Sequence, residues 1–186
     1  MNSTPDVPRG FGHALSFNAF LVRGLQVALV LVIVYIALPG RMCGCGGGGN
    51  EASAIASLKV INSAQSTFSS SCGGNGYAQS LEDLRKPPAG STAGFIAPDL
   101  SRNGVIRSGY VVTLMAGPGA ETVTAASQTC NGSETAAVSR YFAEVHPLRV
   151  GETGQRSFAT DNRGTIYYNN TGQPIPPDMA GASVLQ

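Results

Sequence analysis

Residues 24–38 read GLQVALVLVIVYIAL, fifteen positions without one charged side chain. Extending the stretch back to Phe17 includes only one charge, Arg23, and gives 22 residues. At about 1.5 Å per helical residue these would reach about 33 Å, enough for a hydrocarbon core of about 30 Å. Arg23 would then lie near one end, where its long side chain reaches the headgroups. The stretch therefore predicts a membrane anchor helix over 24–38, presenting Leu25, Val27, Leu29, Val32, Ile33, Ile36 and Leu38 to lipid. A cleaved secretory signal is the competing reading, because the unbroken run is nearer to signal length. Pro39 argues against it, since it separates the small residues Ala37 and Gly40 that would form the cleavage site.

The anchor divides the chain. Residues 1–23 form an N-terminal cytoplasmic or leader segment carrying Arg9 and Arg23 against Asp6, and this excess favours an exported C-terminal side. Residues 39–49, with Cys43, Cys45 and the run Gly46 to Gly49, read as a flexible hinge, since each glycine costs a helix about 1 kcal/mol relative to alanine. Cys43 and Cys45 are too close in sequence to bridge easily, and two histidines, His13 and His146, are too few to complete a zinc site with them. The whole chain carries 12 Lys+Arg and 11 Asp+Glu, a net +1, without the basic surface that a nucleic-acid binder requires.

Residues 50–170 read as a globular domain and 171–186, with Pro174, Pro176 and Pro177, as an irregular tail. Asn50 is a natural N-cap, and Glu51 suits the positive end of a helix. Ile55, Leu58, Ile61 and Phe68 then fall at helical spacing and predict the stripe that packs on a sheet. Ser80 caps a short helix to Arg85, with Leu81 and Leu84 inward. Strand patterns follow over 110–115, 138–145, 156–159 and 165–168, the last two joined by the turn Asp161-Asn162-Arg163-Gly164. The expected fold class is α+β: an N-terminal transmembrane helix, then a helix packed on a small antiparallel sheet of three to four strands. Cys72 and Cys130 are the domain's only cysteines, and export would make them a disulfide, with free buried thiols the alternative.

No constellation for catalysis stands out, so the chain reads as non-enzymatic, with no cofactor and no small-molecule substrate. His146 lies at a strand end before Pro147, outside any nucleophile–base context. Asp161 and Asp178 offer oxygen ligands for calcium, but turn chemistry explains Asp161 without a metal, and none is expected. Gly73-Gly74-Asn75-Gly76 follows a helix and so is no phosphate loop. Asn131-Gly132-Ser133 fits a glycosylation sequon, a tripeptide common by chance.

Three segments carry a resemblance. The run from Asn50 through Glu51 and Ala52 to Gln65, the turn Ser108-Gly109-Tyr110, and Gly154-Gln155-Arg156-Ser157-Phe158-Ala159-Thr160-Asp161 leading to Ile166-Tyr167-Tyr168 resemble type IV pilin-like and type II secretion pseudopilin-like proteins. Ile36-Ala37-Leu38-Pro39 is similar to the family's apolar helix near its proline. The resemblance implies a prepilin-like subunit of a type IV pilus or type II secretion filament, anchored by a single pass in a bacterial inner membrane. Its domain would be periplasmic or extracellular, and its partners the membrane, further copies or other pilin-like subunits. The N-terminus departs from the family: Gly10-Phe11 matches its cleavage site, but no Glu or Asp occurs from Val7 through Gly49. That departure leaves a second reading, an anchored envelope or binding module that does not polymerise.

Overall fold

Helix α1 spans Gly46–Ser71, within a computed structural model that describes residues 46–185. Ala54, Leu58, Ile61, Ala64 and Phe68 recur at steps of three and four and are all buried, so one stripe of the helix faces the core. Ile55, expected in that stripe, is half-buried and packs at its margin. Phe68 meets Phe95 edge-on, with ring centroids 5.3 Å apart. The helix stops where the backbone N–H groups of Cys72 and Gly73 both donate to the Phe68 carbonyl and Gly74 and Asn75 take positive φ.

The expected hinge over 39–49 ends earlier than its glycines do. Gly46 to Gly49 belong to α1, so Asn50 does not cap the helix; its amide instead donates to the Thr153 carbonyl at 3.0 Å. Extending a helix that is already held downstream incurs only the propagation cost of each glycine, not that of a new nucleus.

Gln65 is a fully buried polar residue within the stripe. Its side chain donates to the Ala78 carbonyl at 2.8 Å and accepts from the Ala78 N–H at 2.9 Å, acting as a surrogate strand for a chain that has just left the helix. Gln65→Leu should leave both backbone groups unpaired in the interior and cost about 2 kcal/mol, to be read by chemical denaturation. Helix α2, Leu81–Arg85, follows, and Ser80 caps it as expected by accepting from the Asp83 N–H at 3.1 Å.

The sheet is antiparallel throughout, in the order β1 (Val105–Arg107), β2 (Tyr110–Ala116), β5 (Tyr141–Pro147), β6 (Ser157–Asp161), β7 (Ile166–Asn169), β8 (Ser183–Val184). A separate ribbon pairs β3 (Thr122–Thr124) with β4 (Ala137–Val138). Tyr110, Val112 and Leu114 face α1, while Val111, Thr113 and Met115 face away. Cys72 and Cys130 form a disulfide with Cα atoms 4.7 Å apart.

These findings correct the expected fold class. The sheet has six strands, not three to four, because two short edge strands flank the four that alternation reveals. The expected strand over 138–145 is two strands: Val138 pairs with Thr122 and bridges to Tyr77, whereas Tyr141 onward pairs with β2. Among the described residues no helix is long and apolar enough to cross a membrane. The expected anchor over 24–38, with Leu25, Val27, Leu29, Val32, Ile33, Ile36 and Leu38, lies outside the described residues, as does the hinge segment 39–45. Residues 170–185 are not merely irregular either. Ile175 is buried against Phe142 and Ala159 on the sheet face away from α1, joined there by Met179 and Ala182.

Candidate functional site

The chemistry near the start of α1 is built from three distant segments. Glu51 lies three residues before Ala54 on the inward stripe, so its carboxylate points at the sheet, and its side chain is only 11% exposed. Oε1 accepts from the backbone N–H groups of Gln155 and Arg156 at 3.1 and 3.2 Å; Oε2 accepts from Arg156 Nε and Nη2 at 2.9 and 2.7 Å. Burial alone would raise the pKa of this carboxyl, but the hydrogen bonds from Arg156 and Gln155, with the guanidinium charge, outweigh it and hold the value below the usual glutamate range. The guanidinium in turn lies over the rings of Phe158 and Tyr168, 5.4 and 5.5 Å from their centroids.

The second segment is the turn between β1 and β2. Ser108 and Gly109 both take positive φ, +48° and +75°, which a two-residue hairpin of right-handed twist requires. A side chain at Gly109 would put its Cβ 2.8 Å from that of Thr153. Ser108 Oγ meets Ser53 Oγ at 2.8 Å, and Arg107 donates to Ser57 Oγ at 3.0 Å, so the entering side of the turn grips the helix. The third segment is the approach to β6. At Gly154 a Cβ would sit 1.9 Å from the Tyr110 hydroxyl, which donates to the Arg156 carbonyl at 3.0 Å. Burial first, and then the Glu51 charge, push that phenol up to about 12, so it stays a donor.

About three turns further along, Asn62 repeats the arrangement. Its amide donates to Thr160 Oγ1 and the Gly164 carbonyl at 3.1 and 3.2 Å, and its oxygen accepts from the Tyr141 hydroxyl at 2.9 Å. The helix is thus fixed to the sheet at two levels by polar clamps as well as by its apolar stripe. Leu58, Ile61 and Phe68 form the core contact that the sequence predicts.

Glu51 is expected at the helix end for its dipole, but it sits inside the helix and binds a loop over a hundred residues away. Nothing near it in the sequence distinguishes those roles; the usable signal was that it lies in phase with the apolar stripe. Asp161 Oδ1 accepts from Arg163 N–H, and Oδ2 binds the Arg163 guanidinium at 2.6 Å. Asp161 and Asp178 share a cavity of about 390 Å³, but Arg140 and Arg163 line it too and offset their charge. No group of three or more metal-type ligands occurs among the described residues. Asn131 is buried, and its amide nitrogen donates to the Asp83 and Lys86 carbonyls at 2.8 and 3.1 Å, so the sequon is occupied by structure. Ser157 shares a sheet face with His146 but is fully buried, out of a substrate's reach.

No family model, curated protein or solved structure matches this chain.

Proposed function

We propose that the chain is a non-enzymatic pilin-like or pseudopilin-like subunit, held at a bacterial inner membrane through the apolar stretch 24–38. Its 46–185 domain then lies in the periplasm or outside the cell. The observation that carries this reading is convergence: Asn50-Glu51, Ser108-Gly109-Tyr110 and Gly154-Arg156, the segments that resemble that family, meet in one clamp. A subunit pulled or packed through its helix must pass load to its outer domain, and a charged clamp supplies a lateral fixing that apolar contacts alone do not.

The second reading is an anchored envelope or binding module that never polymerises, and the lack of Glu or Asp from Val7 through Gly49 favours it. Intact-mass spectrometry of the protein extracted from membranes separates the two. Filament assembly requires a chain that starts at Phe11 with a methylated amine. A chain retaining residues 1–10 would overturn the filament reading in favour of the module.

A further inference from the structure

On β5 the side chains of Phe142, Glu144 and His146 alternate onto the sheet face away from α1, and Ser157 and Ala159 of β6 share that face, Ala159 paired directly with Glu144. A carboxylate there would ordinarily meet water. Glu144 is instead 4% exposed and Ser157 0%, and the contacts of residues 172 and 175 place the C-terminal segment on either side of them on this face. Gly172 abuts Val150 and the Gln155 carbonyl, Ile175 seats on Phe142 and Ala159, and Ser183 and Val184 return as an edge strand on β7.

Beneath this strap the polar groups are not all satisfied. Glu144 Oε2 is bonded to His146 Nδ1 at 2.9 Å, its sole protein partner, while Glu144 Oε1 and Ser157 Oγ have none. A buried carboxylate is tolerated when neutralised and costly when it is not. We propose that residues 170–185 form a pH-sensitive strap, held closed over the sheet by the protonated His146–Glu144 pair and loosened when His146 loses its proton.

The sign follows from the pair. The hydrogen bond to Glu144 raises the His146 pKa, burial opposes it, and the Glu144 charge adds to the rise. A raised histidine stabilises fully below its unfolded value of about 6.5, and that contribution is lost as pH climbs through the higher folded value. Among the described residues the other charged groups near this face have partners of their own or lie toward its far end, where Arg140 lines the cavity with Asp161 and Asp178. β2 presents the uncharged Val111 and Thr113; Asp161 of β6 is held by Arg163, which also covers Tyr167 of β7. In the adjoining loop Arg149 pairs with Glu152, and the strap's one charged residue, Asp178, accepts from the Ala180 N–H. His146 is also the only histidine in residues 46–186, so a transition near neutrality in this domain belongs to it. Release would bare Phe142, Ala159 and the edge of β7, a surface open to strand addition.

Hydrogen–deuterium exchange of the full chain in detergent, at about pH 5.5 and about pH 8.5 and corrected for intrinsic exchange, tests this. Residues 172–185 should exchange about tenfold faster at the higher pH, with residues 54–68 unchanged. His146→Gln should be fast at both values, and Glu144→Gln should show no pH response. Equal corrected protection of the wild-type strap at both values overturns the proposal, as does a Glu144→Gln variant that responds like wild type. Should Glu144→Gln not fold, an NMR titration placing the wild-type His146 at or below the ordinary histidine value overturns it equally.

Discussion

Glu51→Ala should destabilise the chain by about 3 kcal/mol, more than truncating any single exposed charge would. The substitution removes the one acceptor of the Gln155 and Arg156 backbone N–H groups and leaves the Arg156 guanidinium over two aromatic rings without its carboxylate. Glu51→Gln keeps an oxygen for the backbone donors and should lose about half as much. The pH dependence is specific. With its pKa held below the usual 4.5, Glu51 contributes its full stabilisation above that value and loses it as pH falls through the lower native value. Denaturant melts at about pH 7 and about pH 3 should therefore show acid sensitivity that Glu51→Gln reduces. An unchanged acid response in Glu51→Gln would mean that other carboxylates govern it.

Replacing both Cys72 and Cys130 by alanine should cost about 4 kcal/mol in the chain-entropy account, because the bridge joins residues 58 apart in sequence. The loop around Cys130 is held by other means as well. Asp83 accepts from the Glu134 N–H and the Thr135 hydroxyl at 2.6 Å each, and Asn131 ties the loop to residues 83 and 86. The native loop should thus survive, and the loss should fall on the unfolded ensemble. Equilibrium denaturation should show a lower midpoint with near-native circular dichroism below it. A midpoint unchanged by the double substitution would show that the bridge adds nothing to the clamps and the core.

The parts of the fold legible in the sequence are those with long, regular periods. The stripe of α1 repeats over about four turns from Ala54 to Phe68, and β2 alternates between buried and more exposed residues. The edge strands are not legible, because two or three residues such as Ser183 and Val184 carry no period of their own and are strands only through their partner. The interruption at Ser139-Arg140 is hard to read for a related reason: this polar pair lies between two apolar stretches that read as one strand, and only the change of pairing partner separates them.

The clamp divides along similar lines. Its segments stood out as motifs, and glycine at 109 and 154 is required by space that only the folded chain defines. The pairing of Glu51 with Arg156 links residues 105 apart, beyond any local rule. Burial of Glu144 was hidden differently: Pro174, Pro176 and Pro177 mark a segment that cannot form regular structure, yet such a segment can still cover a sheet.

Glu51 and Arg156 act as one unit fixing helix to sheet. A double-mutant cycle on Glu51→Ala and Arg156→Ala measures it directly. The clamp requires a coupling of about 2 kcal/mol, so that the double variant is barely worse than Glu51→Ala alone. Two single effects that add to within about 0.5 kcal/mol would contradict it, leaving the apolar stripe of α1 and the Asn62 clamp to fix helix to sheet.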